Sequence, residues 1–277
     1  MKATAGQRPI SRTVNERTAA GFGESMGLVC LLLLVLIPGA AASELPYLID
    51  RIKPSVVGIG TAYPPRQPGR TGPAQRILGT GFAVGNGLQI ITNAHVLPKD
   101  MDREHNESLV VFIGRGAQAN AHPARVIEID EAHDLALLSF KGNPLPALQL
   151  GDSDAVREGQ RVAFMGFPIG MVLGLYPVTH QGLVSSIAPL AVPTSQVGEL
   201  TSLHISRMRK QSTGFQLDAT AYPGNSGSPV FELRHGRVIG VLNSVMVKQT
   251  RESVLTQPSG ISYAIPSRYV QELLPAP

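Results

Sequence analysis

The chain has 277 residues, 43% of them hydrophobic, with 29 glycines, 22 prolines, one cysteine and no tryptophan. That is enough for one large domain or two small ones, and a single cysteine, Cys30, excludes a scaffold stapled by disulfides. The formal charge of +4 divides evenly between the first 42 residues and the rest, which excludes the basic footprint of a nucleic-acid binder.

The first 42 residues read as a targeting segment. Residues 28–37 are an unbroken apolar run of about ten, within the range of a signal-peptide core and short of the ~20 needed to span a bilayer. Lys2, Arg8, Arg12 and Arg17 precede it, and Ala40-x-Ala42 offers small residues for cleavage before Ser43. Left uncut, the same segment would anchor the chain, and only then is a membrane a partner. Cys30 lies inside the run, leaving a mature chain without cysteine. The expected location is outside the cytoplasm, periplasmic or secreted from a bacterium.

Beyond residue 43 short β-rich runs recur: 55–61, 80–84, 89–92, 108–113, 125–129 and 135–140, then 161–166, 182–187, 215–218, 229–232, 237–244 and 261–265. Each is four to eight residues long and bounded by Gly, Pro, Asn or Asp, the rhythm of an all-β sandwich or barrel. Six runs fall on either side of residue 155. Helices are expected at 44–52 and at 267–274, the second opening with Ser267 as N-cap and stopping before Pro275. The stretches 63–75 and 188–214 are long, turn-rich loops, and loops of that length inside a domain are usually functional or disordered. The second holds the one dense basic cluster, Arg207-Met208-Arg209-Lys210, which reads as a solvated face.

Three segments carry chemistry. In Ala221-Tyr222-Pro223-Gly224-Asn225-Ser226-Gly227-Ser228-Pro229-Val230 a serine sits between glycines on a tight turn before an apolar strand. Glycine permits φ > 0, so such a turn can present a hydroxyl and aim backbone N–H groups at one point, as nucleophilic attack on a carbonyl requires. Ile90-Ile91-Thr92-Asn93-Ala94-His95-Val96 ends a β-branched run at a histidine. Ala132-His133-Asp134-Leu135-Ala136-Leu137-Leu138 places an aspartate at the head of an apolar strand. A serine nucleophile needs a base, and the base needs an acceptor that fixes its tautomer. The order His95, Asp134, Ser226 is the chymotrypsin order, distinct from those of subtilisin and the α/β-hydrolases.

From about Leu45 to the C-terminus the chain resembles a trypsin-like serine protease of the HtrA/Deg type, a chymotrypsin fold. The resemblance also rests on Gly79-Thr80-Gly81-Phe82, Leu150-Gly151-Asp152-Ser153, Gly166-Phe167-Pro168-Ile169-Gly170, Gly182-Leu183-Val184-Ser185-Ser186 and Ile261-Ser262-Tyr263-Ala264-Ile265-Pro266-Ser267. It implies two antiparallel six-stranded β-barrels, at 43–155 with His95 and Asp134 and at 156–277 with Ser226, the active site between them, and a short C-terminal helix. The implied activity is endopeptidase cleavage of unfolded or exposed polypeptides through an acyl-enzyme. Backbone N–H groups of Gly224 and Ser226, with Asn225 between them, would form the oxyanion hole. Thr220 and Ala221 would floor the substrate pocket, and Val241, Leu242, Asn243 and Ser244 would wall it. None is charged, which implies a small or apolar residue before the cut. No metal or cofactor is called for, and oligomerisation is left open.

The chain departs from that family at Ser228, where a second glycine is usual. Its 51 residues after Ser226 are too few for a PDZ domain of the usual kind. Two rivals follow. Ser228 favours a glutamyl-type secreted protease, which the absence of a histidine from 238–247 disfavours. The other is a protease fold kept as a binding or scaffold module with an unassembled active site. His133 is expected at a strand edge, and His105, His122, His180, His204 and His235 on the surface without metal-ligand spacing.

Overall fold

The computed structural model describes residues 45–64, 74–168, 174–189, 213–243 and 260–275. The leader and most of the 63–75 and 188–214 stretches lie outside them. The described residues belong to one compact unit, Glu44–Pro277.

Six strands, β1 (Val56–Ala62), β2 (Gln75–Val84), β3 (Gln89–Thr92), β4 (Ser108–Ile113), β5 (Asn120–Asp130) and β6 (Leu135–Phe140), close into a barrel in the order β1-β2-β3-β6-β5-β4. Six more, β7 (Arg161–Gly166), β8 (Val178–Pro189), β9 (Thr213–Asp218), β10 (Pro229–Glu232), β11 (Val238–Asn243) and β12 (Ile261–Pro266), close a second in the order β10-β11-β12-β9-β8-β7. The paired strands within each barrel run antiparallel, so the fold is the one the resemblance implied. Register shifts at Ile59/Gly60, Val126/Glu128, Val184/Ser186 and Val230/Phe231 bend the strands as closure requires.

The barrels are filled by aliphatic side chains together with phenylalanine. Val57, Ile59, Ile90, Val111 and Leu138 fill the first, and Val162, Phe164, Leu217, Val230 and Leu242 the second. Two further clusters join the barrels. Phe82, Leu135 and Leu137 meet Val238, Val241 and Ile265 under Tyr269 and Val270 of the helix α2 (Ser267–Leu273). Val110 and Phe112 meet Met165, Phe167 and Phe231 beneath Leu48 and Ile52 of the helix α1 (Leu45–Ile52). Strands such as β1 and β11 are therefore buried at every position, and their sequences read as unbroken apolar runs instead of alternating.

Three strands extend beyond their apolar runs: β2 starts at Gln75, β5 covers Asn120–Asp130 and β8 covers Val178–Pro189. Their added residues mix exposed positions such as Arg76, Asn120 and Gln181 with half-buried ones such as Ile77 and Val178, and pairing with a neighbour holds them extended. Ser267 is not a cap. Pro266 takes the N-cap position without a side-chain bond, and the Ser267 hydroxyl donates to the Gly151 carbonyl at 2.8 Å. Arg268 holds α2 instead, through its N–H to Ser153 Oγ at 3.1 Å and its guanidinium to Asp154 and Thr213. Among the described residues no helix is long and apolar enough to cross a membrane.

Candidate active site

The pairing of β3 with β6 brings His95 to Asp134. Thr92 lies opposite Ala136, so continuing the register sets Ala94 opposite Asp134, and Ala94 N–H donates to the Asp134 carbonyl at 3.1 Å. His95 follows in a 3₁₀ turn, Ala94–Val96. Its backbone N–H donates to Asp134 Oδ1 at 2.9 Å, and its ring Nδ1 lies 2.6 Å from Oδ2. The ring proton on Nδ1 is assigned from this contact, and Nε2 lies on the other side of the ring. That atom is buried and has no hydrogen-bond partner among the described residues.

Asp134 has φ of 55°, a left-handed conformation rare outside glycine and tolerated best by Asp and Asn. Five hydrogen bonds hold it there: two from His95, one from Ala94, one from Asn93 Nδ2 to the carbonyl at 3.0 Å, and one from Asn243 Nδ2 to Oδ2 at 2.7 Å. The carboxylate is thus oriented from both barrels. Neighbouring His133 is not a strand-edge residue but is 8% exposed, stacked on Tyr269 at 3.8 Å with Nδ1 2.5 Å from Asp130 Oδ2.

The serine turn approaches from the second barrel. Gly224 and Gly227 have φ of 97° and 87°, and a Cβ on Gly227 would lie 2.0 Å from the Thr80 carbonyl. Asn225 N–H donates to Tyr222 O at 3.0 Å, Ser228 N–H to Asn225 O at 3.0 Å and Gly227 N–H to Leu242 O at 2.9 Å. Gly224 N–H donates to no group among the described residues. The Ser226 carbonyl accepts from Thr80 N–H of β2 at 2.8 Å. One residue earlier, a Cβ on Gly79 would lie 2.7 Å from both Val96 methyls and 3.1 Å from Ser226 O. Gly79 is thus the point where β2, the histidine turn and the serine turn converge, and it has no room for a side chain. Ser226 is 4% exposed, more enclosed than a serine lifted clear of the surface.

The pocket expectations fare differently. Thr220 and Ala221 are half-buried, Ala221 against the second-barrel core. Val241 and Leu242 are fully buried in two separate core clusters, because both faces of β11 are covered. Asn243, expected on the wall, gives its amide to Asp134. Ser244 and His204 lie outside the described residues. The Ser228 hydroxyl and the Asn225 side chain are buried with no partner among the described residues. His180 is not a surface histidine: it stacks on Phe164 at 4.9 Å and lies 6.0 Å from Tyr222. Burial lowers its pKa from the ordinary histidine value, which favours the neutral form. Among the described residues no three His, Cys, Asp or Glu side chains form a metal-binding group.

A family model described as a trypsin-like peptidase domain matches residues 79–241. The mitochondrial serine protease HTRA2 of Drosophila willistoni is 31% identical over 71% of this chain and 37% of its own length. A probable periplasmic DegP-like serine endoprotease of Halomonas elongata is 30% identical over 73% of this chain and 36% of its own. The chain therefore spans little more than a third of the curated relatives it matches. A solved HtrA-type protease, AlgW with a decapeptide, shares the fold with a TM-score of 0.58 and 23% identity, covering 84% of this chain and 66% of that one.

Proposed function

We propose that this chain, which belongs to the trypsin-like peptidase family, is a serine endopeptidase that cleaves unfolded or exposed polypeptide through His95, Asp134 and Ser226. The observation that carries the reading is the oriented histidine: His95 is held by Asp134 at two points, and its Nε2 is buried with no hydrogen-bond partner among the described residues, Ser226 included. In the proposed mechanism Ser226 Oγ attacks the scissile carbonyl and its proton passes to His95 Nε2. Asp134 stabilises the resulting imidazolium. The carbonyl oxygen becomes an oxyanion facing Gly224 and Ser226 N–H. The C–N bond breaks as His95 returns the proton to the leaving amine. Water, deprotonated by His95, then hydrolyses the Ser226 ester and restores the hydroxyl.

The residue before the cut is read as small or apolar. Thr220 and Ala221 offer no charge, and burying a substrate charge without a partner costs several kcal/mol. The glutamyl reading draws on Ser228, whose hydroxyl is buried with no partner among the described residues, and it lacks a histidine at 238–247. The apolar run at 28–37 and Ala40-x-Ala42 support export with cleavage before Ser43, in keeping with the periplasmic naming of the DegP-like relatives. The test is casein digestion by the purified mature chain and by Ser226→Ala. Hydrolysis by the first and none by a folded preparation of the second is expected; equal hydrolysis by both ends the proposal.

A further inference from the structure

Thr80 belongs to a motif, Gly79-Thr80-Gly81-Phe82, that the chemistry above leaves without a role. It is fully buried, and each of its polar groups is engaged. Its N–H donates to Ser226 O at 2.8 Å, and its carbonyl accepts from the Thr92 hydroxyl at 2.7 Å. Its own hydroxyl accepts from Phe167 N–H at 3.0 Å and donates to the Gly224 carbonyl at 2.7 Å. The Phe167 N–H occupies a lone pair of the oxygen, which leaves the hydroxyl proton for Gly224.

We infer that Thr80 is a positioning residue for the oxyanion turn, its hydroxyl fixing the Gly224 carbonyl and so the line of backbone donors that faces the reacting carbonyl. This rests on the reading of Gly224, Asn225 and Ser226 as the oxyanion hole. A peptide unit is planar, so a bond at each edge fixes its plane. The 224–225 unit is held by Thr80 Oγ1 on Gly224 O and by Tyr222 O on Asn225 N–H. The 226–227 unit is held by Thr80 N–H on Ser226 O and by Leu242 O on Gly227 N–H. Between them, the Asn225 carbonyl is held by Ser228 N–H, which directs the Ser226 N–H to the opposite side. Thr80 therefore grips two of three consecutive units. The turn does not supply this grip itself. Gly224 sits at φ of 97° with no side chain, and the Asn225 and Ser228 side chains have no partner among the described residues. Among the described residues Thr80 is the only partner of the Gly224 carbonyl. Room for the hydroxyl comes from Gly166, where a Cβ would lie 2.8 Å from Thr80 Oγ1 and 2.0 Å from Ser228 Oγ.

The test measures kcat and KM separately on an internally quenched peptide carrying Ala, Val or Leu before the cut. Thr80→Val keeps the shape and the backbone N–H and removes only the hydroxyl. A misaligned oxyanion hole is felt in the transition state and not in substrate binding. The expected loss is on the order of 10²-fold in kcat, with KM within about threefold, and Thr80→Ser should restore most of it. Thr92→Val is the matched control. It also deletes a buried hydroxyl bonded within this network, but leaves the Gly224 carbonyl held, so it should cost stability and little kcat. If Thr80→Val does not fold, Thr80→Cys replaces it, exchanging the hydroxyl for a poor donor of similar size. A folded hydroxyl-free variant with kcat within threefold of the parent overturns the inference. So does a Thr92→Val variant that loses as much kcat at an equal fall in Tm. Absence of any Ser226-dependent hydrolysis in the parent sinks the functional reading and this inference together, whereas activity that survives loss of the Thr80 hydroxyl sinks the inference alone.

Discussion

Asn243→Leu tests whether Asp134 works as an oriented carboxylate. Asn243 Nδ2 donates to Asp134 Oδ2 at 2.7 Å from the second barrel, onto the same oxygen that meets the His95 ring at 2.6 Å. Leucine keeps the bulk of a side chain that is 6% exposed and removes the donor. A hydrogen bond to a charged group contributes about 1.5–3 kcal/mol, and each ~1.4 kcal/mol lost from the transition state is about tenfold in rate. Oδ1 keeps its bond from His95 N–H at 2.9 Å, so Asp134 stays near its place and the loss should lie at ~10- to 10²-fold in kcat. KM should hold, because the donor removed is the one engaged by Asp134. The assay is kcat and KM on the quenched peptide, with a melting curve to establish that the variant is folded. A folded Asn243→Leu enzyme with parental kcat would refute the idea that the second barrel orients the catalytic carboxylate.

Three further predictions test the fold around the site. Burial lowers the folded-state pKa of His180 from its ordinary value of 6.5. Below pH 6.5 the unfolded chain therefore binds the proton first, and the contribution present above that pH is lost as pH falls towards the folded value. The parent should lose more Tm between pH 7.5 and 5 than His180→Phe does; equal losses would show that His180 does not carry this dependence. Gly227→Ala should fail to accumulate as folded protein, since its Cβ would lie 2.0 Å from Thr80 O at φ of 87°, and a folded, active variant would contradict the geometry of the turn. Ser228→Ala removes a buried hydroxyl without a partner among the described residues and should stabilise the chain by about 1 kcal/mol, read as a rise in the denaturation midpoint.

The fold was legible because strand punctuation and the resemblance agree, down to six strands in each barrel. The punctuated runs stop short of the full β2, β5 and β8, whose outer residues are held extended by pairing with their neighbours. His95 and Asp134 were legible from local context, and the register of β3 on β6 explains how segments some 40 residues apart meet. The pocket wall was not legible. The resemblance implied a wall along β11, but contact between the barrels buries Val241 while the second barrel buries Leu242, and Asn243 gives its amide to Asp134. Side-chain bonds across the barrels, such as those of Thr80 and Asn243, leave no periodic trace. Both residues lie in segments whose composition is conspicuous, but composition does not say which partner each hydroxyl or amide will find.

The most direct test of the account is the reaction of the folded mature chain with a fluorophosphonate, read by intact mass and peptide mapping. This reagent requires an activated serine and a place for its oxygen, which are the two things the geometry is proposed to supply. A single adduct on Ser226, absent from Ser226→Ala and much slower to form in Asp134→Asn, is the predicted result. A folded chain that stays unlabelled, or labels equally without Ser226, would contradict the account.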